Sequence, residues 1–480
     1  MKKRIIIVFA LFLIFSCSKN SDNNDPVIQE PVTKELTIFF INDQHGQLDN
    51  FSKMKHIIDL ERQNTNVIVA CSGDMFSGNP IVDNYLEKGY PMIDMMNKIG
   101  FDVSVLGNHE FDYGEAVLTD RMNQANFDWV CANVDMGNSG VPEPKNYSTI
   151  SIDDLKVTFL GLVETNGKDG ATIPSTHPWR VKNLEFERPE NAIGQYANIK
   201  EEENADLYIA LTHIGHQASG QTLSDDKIAR EYPYFDLIIG GHSHQEINTV
   251  VNNIPIFQSG SYLNNLGQIK LVIKDKEVQS FEFELIDLNK YSEFDAGLKA
   301  DIDEYNDLPY LKDVIGYSHV FHSKSKVGCF YTDALKEVMN VDVTFQNTGG
   351  VRTTLNEGDI TKREIFEISP FNNGTVIYEM TVLEIANFLK ESGSGFYFSG
   401  IEIEQNGNTI QIKDLNGNLM ADTTVLKLGI NDYIPAVYDN LFPTEGTIQP
   451  LTAAESLINY LEYFNNQVNY PNCNHYFRFQ

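Results

Sequence analysis

The chain has 480 residues, with 36 Lys and Arg against 67 Asp and Glu, which gives a formal net charge of −31. Proteins that bind nucleic-acid polymers hold the phosphate backbone with basic patches, so this balance argues against such a partner. Apolar residues make up 42% of the chain, enough for buried cores, and the length suits about two to four domains.

The amino terminus has the pattern of an export signal. Residues 1–4 (MKKR) are basic and residues 5–15 (IIIVFALFLIF) are uncharged and apolar. A membrane helix needs about 18 to 25 residues, so this run is too short to span a bilayer but fits a secretory signal. Ser16-Cys17 resembles a bacterial lipobox, which implies a lipid anchor at Cys17. The alternative is an ordinary signal peptide with an incidental cysteine. We expect an exported protein, periplasmic or on the cell surface, that touches the membrane only through this anchor.

Between about residues 34 and 289, short apolar runs alternate with polar loops and helical or irregular segments. The runs are LTIFFI (36–41), NVIVACS (66–72), DVSVLG (102–107), KVTFLGLV (156–163), DLYIALT (206–212) and FDLIIGG (235–241). Their nearly continuous hydrophobicity predicts strands buried on both faces, as in a sheet covered by helices. The helical spacing of apolar residues in FSKMKHIIDLERQ (51–63) predicts one of those helices.

The charged stretch 291–312 predicts an interdomain helix or linker, and residues 313–480 mix helix and strand. In that part a helix through TDALKEVM (332–339) precedes a strand VDVTFQ (341–346), and Thr381 with Glu384 predicts a capping box. We therefore expect a signal peptide (1–16), a polar tether (17–33), a first domain (34–290), the linker (291–312) and a smaller C-terminal domain (313–480).

Cysteines are too few for a disulfide scaffold, at five in 480 residues. Cys71 and Cys131 lie in apolar runs and are predicted to be small buried hydrophobic residues. The sequence leaves open whether Cys329 and Cys473 pair.

Polar side chains that bind metals follow five of the apolar runs of the first domain. The carboxyl ends of parallel strands meet at one edge of a sheet, so these side chains are expected to converge. Taken singly, each Asp is more typical of a turn and each His of a satisfied core or surface residue. Together they suffice for two metal ions if one carboxylate bridges, an arrangement that suits phosphoester hydrolysis. The pool is Asp43, His45, Asp74, Asn108, His213, His242 and His244.

The motifs NDQHG (42–46), SGD (72–74), GNHEFD (107–112), THIGH (212–216) and GGHSH (240–244) occur in this order. They resemble those of calcineurin-like metallophosphoesterases, specifically the bacterial 5′-nucleotidase family. This resemblance implies an α/β fold, with a four-layer α/β-β/α sandwich followed by a smaller mixed α/β domain. It extends from about residue 34 to 460.

The resemblance also implies a role for each motif residue. Asp43, His45, Asp74 and His244 would hold one divalent metal ion, and Asp74, Asn108, His213 and His242 a second, with Asp74 bridging. His109 would bind no metal, and Asp112 would orient its imidazole toward the phosphate; a turn-capping Asp112 is the alternative. Zn, Mn, Co and Ca all remain open as the metals, because such ligands accept several divalent ions.

In the C-terminal domain, NTGGVR (347–352) resembles the NAGGIR motif of the same family, and GDIT (358–361) and SPFNN (369–373) match its continuation. The match implies that Arg352 engages charged groups of the substrate, that Phe371 and Tyr433 stack on a base, and that Asn373 binds polar atoms nearby. Asp439, which is kept from a late loop of the family, is a further substrate-binding candidate. The alternative places Phe371 in the core and Arg352 in a surface ion pair.

Two segments depart from the family pattern. FHSKSKVGCF (321–330) lacks the family's arginine, for which Lys324 or Lys326 is a candidate replacement, and AVYDN (436–440) lacks the glycines of a late loop. The sequence thus predicts an exported two-metal phosphoester hydrolase, a 5′-nucleotidase that releases phosphate from nucleoside monophosphates. The alternatives are a cyclic-nucleotide or sugar-nucleotide phosphodiesterase on the same site and a non-catalytic nucleotide-binding lipoprotein.

Overall fold

The computed structural model describes residues 33–480, apart from residues 169, 171 and 218–221. The predicted signal peptide and Cys17 lie outside the described residues. Within the described part, no helix has the length and apolarity that a bilayer crossing requires. Residues Thr33–Gln480 form one structural unit, in which a larger first half precedes a smaller second half.

The described residues of the first half form fourteen strands and eight α-helices. The strands are β1 (Lys34–Ile41), β2 (Asn66–Cys71), β3 (Val103–Val105), β4 (Asp128–Val130), β5 (Val134–Asp135), β6 (Tyr147–Ile152), β7 (Leu155–Val163), β8 (Glu185–Phe186), β9 (Leu207–His213), β10 (Leu237–Ile239), β11 (Glu246–Val251), β12 (Ile254–Ser259), β13 (Asn265–Lys274) and β14 (Glu277–Asp287). The helices are α1 (Phe51–Glu61), α2 (Pro80–Asp83), α3 (Tyr90–Ile99), α4 (Glu115–Gln124), α5 (Pro189–Ala192), α6 (Ile199–Glu202), α7 (Asp225–Glu231) and α8 (Ala296–Asn306).

Two six-stranded sheets organise this half, in the orders β14-β13-β1-β2-β3-β4 and β11-β12-β10-β9-β7-β6. One core lies between the sheets and includes Ile38, Phe40 and Ile209. The alternate side chains of β1, Phe39 and Ile41, pack with helix residues in a second core. The predicted four-layer α/β-β/α sandwich is confirmed. The strands are apolar on both faces because each central strand packs against the opposite sheet as well as against helices.

Parallel pairing brings the carboxyl ends of the central strands to one edge. Ile41 at the end of β1 is in register with Cys71 at the end of β2. In the other sheet, Val163 of β7 is in register with His213 of β9. The loops that follow these strands, which carry the predicted metal ligands, therefore meet where the two sheets end.

The predicted linker packs onto the first half. Leu298 and Ile302 of α8 are buried in the same core as α1. The side chain of Asp295 caps this helix by accepting a hydrogen bond from the Leu298 backbone N–H at 2.7 Å. The segment is helical, as expected, and extends the first core.

The second half contains eleven strands and five α-helices. The strands are β15 (Val314–Ser318), β16 (Val343–Asn347), β17 (Gly358–Thr361), β18 (Gly374–Thr381), β19 (Gly395–Ser399), β20 (Glu402–Asn406), β21 (Thr409–Lys413), β22 (Val425–Asn431), β23 (Thr447–Thr452), β24 (Gln467–Val468) and β25 (Tyr476–Arg478). The helices are α9 (Lys324–Met339), α10 (Lys362–Ile368), α11 (Val382–Glu391), α12 (Tyr433–Val437) and α13 (Ala453–Tyr463).

A six-stranded sheet, in the order β23-β18-β22-β16-β19-β25, forms the centre of this half. The predicted capping box of Thr381 and Glu384 is present at the start of α11. Helix α9 begins at Lys324, earlier than the predicted TDALKEVM helix, so the segment that departs from the family pattern forms its first turns. Cys329 of α9 forms a disulfide with Cys473. Cys71 and Cys131 are buried and free, as predicted.

Candidate functional site

The predicted ligands converge at the common edge of the two sheets. Their donor atoms form two groups, and the atoms of each group lie within 4.8 Å of one another. The first group is Asp43, His45, Asp74 and His244; the second is Asp74, His213 and His242. Asp74 belongs to both groups, as expected of a bridging carboxylate.

In the first group two imidazoles face each other. His45 Nε2 lies 3.0 Å from His244 Nε2, which in turn lies 3.2 Å from Asp43 Oδ1. The Ser77 carbonyl oxygen accepts a hydrogen bond from His45 Nδ1 at 3.0 Å. Since only a protonated Nδ1 can donate to a carbonyl, His45 Nε2 retains its lone pair and is free to coordinate an ion.

In the second group a backbone carbonyl oxygen fixes the orientation of His213 in the same way. Its Nδ1 donates to the Ser72 carbonyl oxygen at 2.6 Å, and its Nε2 lies 2.9 Å from Asp74 Oδ2. Asn108 completes the group, because its Oδ1 lies 3.0 Å from His242 Nδ1 while its amide nitrogen donates to the Ser175 carbonyl. The amide is thereby oriented with its oxygen toward the other ligands.

These groups fit divalent cations. Asp43 Oδ1 and His213 Nε2 are buried and make no hydrogen bond within the described part of the chain. Burial lowers the pKa of His213, but the Asp74 carboxylate outweighs this and raises it to about 10. Burial opposes ionisation of Asp74, yet the charges of His213 and His109 hold its pKa well below the usual range. Buried carboxylates beside imidazoles provide the oxygen and nitrogen donors and the negative charge that metal ions need.

The backbone is held in an uncommon conformation at the ligands. Five of the seven have φ between 49° and 72°, in the left-handed region that L-residues rarely occupy: Asp43, His45, Asp74, His242 and His244. Two glycines allow the close packing. A Cβ at Gly107 would collide with Asp74 Oδ1, and one at Gly241 would lie 2.6 Å from the Ser72 carbonyl oxygen.

A buried carboxylate, Glu110, supports the loop that carries Asp74. Its oxygens accept hydrogen bonds from the backbone N–H groups of Asp74 at 2.9 Å, Met75 at 2.8 Å and Gly107 at 2.5 Å. Glu110 therefore holds the backbone of two of the ligand loops.

A second buried network lies under the histidine ligands. Asp225 accepts hydrogen bonds from Thr212 Oγ1 at 2.6 Å and Gln258 Nε2 at 2.8 Å. Gln258 in turn accepts one from Ser243 Oγ at 2.6 Å. Burial raises the pKa of Asp225 to about 7. The network connects the residue before His213 to the loop that carries His242 and His244.

His109 and Asp112 form the expected pair. Asp112 Oδ2 lies 2.5 Å from His109 Nδ1, and Asp112 Oδ1 accepts a hydrogen bond from Thr176 Oγ1 at 2.8 Å. Burial lowers the pKa of His109, but the Asp74 and Asp112 charges outweigh it and raise the pKa above the usual value. His109 Nε2 is left facing the site, 3.8 Å from Asp74 Oδ2. The pair thus presents an imidazole nitrogen at the edge of the ligand groups.

A cleft of ≈ 260 Å³ joins the ligand groups to the second half. Arg352, Phe371, Asn373 and Tyr433 line it together with Asp74, His109 and Asp112. Phe371 is partly exposed, and its ring stacks on that of His109 with centroids 5.7 Å apart and planes at 10°. The Arg352 guanidinium lies 5.4 Å from the centroid of the same ring. The alternative positions, Phe371 in the core and Arg352 in a surface ion pair, are not those observed.

Asp439 lies elsewhere. It does not line the cleft, and its exposed carboxylate pairs with Lys168 at 2.7 Å. Substrate binding by Asp439 stays a prediction. Without the glycines of the family loop, residues 439–441 form a 3₁₀ turn that directs the carboxylate to solvent.

Sequence reasoning missed two residues that connect the halves. His177 lines the cleft, with Nε2 3.3 Å from Asp432 Oδ1. Arg180 donates to the carbonyl oxygens of Asp112 and, at 2.8 Å, of Phe371. Neither lies in a motif, and both act on partners more than 60 residues away in the sequence. The one available signal was the rarity of arginine in so acidic a chain.

Two family models match the chain in sequence order. "Calcineurin-like phosphoesterase" matches residues 36–246, and "5′-nucleotidase, C-terminal domain" matches residues 312–444. The two matches correspond to the two halves of the structure and together span more than two thirds of the chain.

Individual proteins agree with these matches. The trifunctional nucleotide phosphoesterase protein YfkN of Bacillus subtilis is 28% identical, over 86% of this chain and 33% of that protein. A 5′-nucleotidase of Vibrio cholerae is 26% identical, over 77% of this chain and 79% of its own length. The chain thus spans about a third of the length of the Bacillus protein.

A solved structure shows the same fold. The 5′-nucleotidase precursor of Thermus thermophilus superposes with a TM-score of 0.79 at 19% identity, over 92% of this chain and 98% of the other. With the motifs, the two family models and this architecture taken together, the chain belongs to the 5′-nucleotidase family of calcineurin-like metallophosphoesterases.

Proposed function

We propose that the protein is a 5′-nucleotidase that releases phosphate from nucleoside monophosphates with two divalent metal ions. The observation that carries the proposal is that two ligand groups share Asp74. Asp74 lines a cleft whose opposite wall bears Arg352, which has no ion-pair partner among the described residues, and the ring of Phe371. Ligands for two ions, a protonated imidazole and a surface for a base are thus present in one cavity.

Asp43, His45, Asp74 and His244 would hold one ion, and Asp74, Asn108, His213 and His242 the other. When bound, two such ions supply Lewis acidity to the phosphoryl oxygens and activate water as the nucleophile. The protein's own part is to fix the ligands in advance, through the carbonyl acceptors at Ser72 and Ser77 and the carboxylate of Glu110. Preorganisation of this kind lowers the reorganisation that the reaction requires.

The imidazolium of His109 would stabilise charge on the transferred group. Asp112 holds Nδ1, so the proton on Nε2 points toward the ligand groups and can be donated to a phosphoryl or leaving oxygen. Thr176 restrains Asp112 on its other oxygen. The pair of His109 and Asp112 therefore has the geometry of a positioned proton donor.

The second half would determine substrate specificity. Phe371 and Tyr433 both line the cleft, and stacking of a base on such a ring contributes about 1 to 3 kcal/mol. Among the described residues, Arg352 has no ion-pair or hydrogen-bond partner for its guanidinium, which leaves it free for the phosphate. Asn373 completes this wall. Export and lipid attachment at Cys17 belong to the same proposal and rest on the sequence pattern of residues 1–17.

Phosphate release tests the proposal. The chain from residue 18 onward would be loaded separately with Mn, Zn, Co and Ca and assayed on AMP, UDP-glucose, 2′,3′-cyclic AMP and an aryl phosphate. We expect AMP to be hydrolysed with the highest kcat/KM. Absence of turnover with every metal would contradict the enzyme assignment, and preference for either diester would favour the phosphodiesterase alternative. Labelled palmitate incorporation that depends on Cys17 tests the anchor.

A further inference from the structure

A second cavity lies beside the cleft, on the far side of Arg352. It is lined by Gln47, Ser77, Gly78, Tyr262, Lys324, Arg352, Thr353 and Glu367. Arg352 is the one residue that lines both cavities. Phe371 and Tyr433, the aromatic residues proposed to hold the base, line the cleft but not this cavity. The second cavity therefore shares Arg352 with the cleft and lacks the proposed base-binding surface.

Tyr262 places this cavity next to the first ligand group. Its ring centroid lies 5.3 Å from that of His45 and 5.7 Å from that of His244. Its backbone N–H donates to the Asp43 carbonyl oxygen at 2.7 Å, and its φ is 58°. A bulky residue in the left-handed region is uncommon, and such strain is concentrated at functional sites. Tyr262 thus forms a fixed wall between the ligands and the second cavity.

The cavity is positively charged in a strongly acidic protein. Lys324 and Arg352 both line it, and within the described part of the chain neither side chain has an ion-pair or hydrogen-bond partner. The one carboxylate of the lining, Glu367, is already paired with Arg363 at 2.9 Å. Both cations line the same cavity, and burial together with the charge of Arg352 lowers the pKa of Lys324. Adjacent unpaired cations favour an anion between them.

We propose that this cavity is a subsite for a second phosphoryl group, held by Lys324 and Arg352, on the side of the scissile phosphate away from the nucleoside. The inference rests on the proposed function, because it places the first phosphate at the Asp74 ligand groups. Lys324 is then a specificity-determining residue at the start of α9, in the segment 321–330 that lacks an arginine. Lys326 cannot share this role, since its Nζ donates to the Cys473 carbonyl oxygen.

A pair of non-hydrolysable probes tests the subsite without requiring turnover. The dissociation constants of methylenediphosphonate and methylphosphonate would be measured by calorimetry on the Mn-loaded protein. Loss of one charged hydrogen-bond donor costs about tenfold in affinity. We expect Lys324→Ala to weaken methylenediphosphonate about tenfold more than methylphosphonate. Lys324→Arg should keep the preference, and Lys336→Ala, at the other end of α9 and paired with Glu337, should behave as wild type.

An unchanged ratio of the two dissociation constants in Lys324→Ala, or an equal loss for both probes, would overturn the subsite. Titration with orthophosphate tests whether the cavity also binds a phosphate that is not attached to the first one. If it does, the wild-type protein binds two equivalents of orthophosphate and Lys324→Ala binds one. AMP hydrolysis measured in parallel separates the two proposals. Normal turnover with an unchanged ratio refutes the subsite alone, whereas a lost preference without turnover refutes the nucleotidase alone.

Discussion

The two walls of the cleft are built differently. On the wall of the first half, Asp74, Asn108 and His109 are buried, and each is fixed by hydrogen bonds within that half. On the wall of the second half, Arg352 and Phe371 are partly exposed and contact each other through a single cation–π interaction. The first wall is preorganised for one chemistry, while the second can change its contacts at little cost.

This difference has a functional consequence. A preorganised ligand set serves any phosphoester, because the metal centre acts on the phosphoryl group alone. Discrimination between leaving groups must then come from the second wall and from the cavity beside Arg352. Substitutions in the first half should therefore abolish turnover of every substrate, and substitutions in the second half should change the ranking of substrates.

The largest effect is expected for Asp74→Asn. Removing the shared carboxylate removes a ligand from both groups, so kcat on AMP and on aryl phosphate should fall by about 10³-fold or more. Phosphate release and metal content by mass spectrometry measure the result. Asp120→Asn, an exposed aspartate of α4, is the matched control and should keep full activity. Full activity of Asp74→Asn would refute the bridging assignment.

The next largest effect is expected for the pair of His109 and Asp112. His109→Ala and Asp112→Asn should each lower kcat by about 10² to 10⁴-fold, as expected for loss of a positioned proton donor, with both substrates affected. Metal content should stay at the wild-type value, since neither side chain belongs to the ligand groups. Loss of bound metal from His109→Ala would show that the imidazole is a ligand instead.

Phe371→Ala distinguishes the walls most sharply. Loss of stacking should lower kcat/KM for AMP by about tenfold or more while aryl phosphate, which has no base, is spared. Leu383→Ala, an exposed apolar residue of α11, is the control for loss of an apolar side chain. Equal losses on both substrates would mean that Phe371 acts by holding His109 in place.

The smallest effect concerns stability. Burial raises the folded-state pKa of Asp225 to about 7, against an unfolded value of about 3.9. Between these values the folded protein binds the extra proton, so Asp225 makes stability fall as pH rises, by at most about 1.4 kcal/mol per pH unit. The free energy of unfolding of the metal-free protein, measured with urea at several pH values, should lose this pH-dependent contribution in Asp225→Asn. The neighbouring Asp226→Asn should keep the wild-type slope, and an unchanged slope in Asp225→Asn would contradict the argument.

Much of the first half is predictable because its signals are local. Each apolar run predicts a strand, and each ligand follows its strand within a few residues, as Asp43 follows β1 and Asp74 follows β2. Parallel pairing then brings the ligands together without further information. The apolar runs alone did not distinguish a second sheet from a layer of helices, because either of them would bury an apolar face of the first sheet.

The second wall is less predictable because its contacts join distant segments. His177 meets Asp432, and Arg180 meets Phe371, across 255 and 191 positions of sequence. The pairing of Cys329 with Cys473 spans 144 positions and was open for the same reason. The outward position of Asp439 was not predictable from the family match, because a loop without the family's glycines cannot keep the family's backbone path.

The central claim is that Asp74 bridges two metal ions, and electron paramagnetic resonance of the Mn-loaded protein tests it most directly. The account predicts two Mn²⁺ per chain with a spin-coupled spectrum, as expected for ions about 3.5 to 4 Å apart, and loss of that coupling in Asp74→Asn. A single bound ion, or two ions with independent spectra in the wild-type protein, would contradict it.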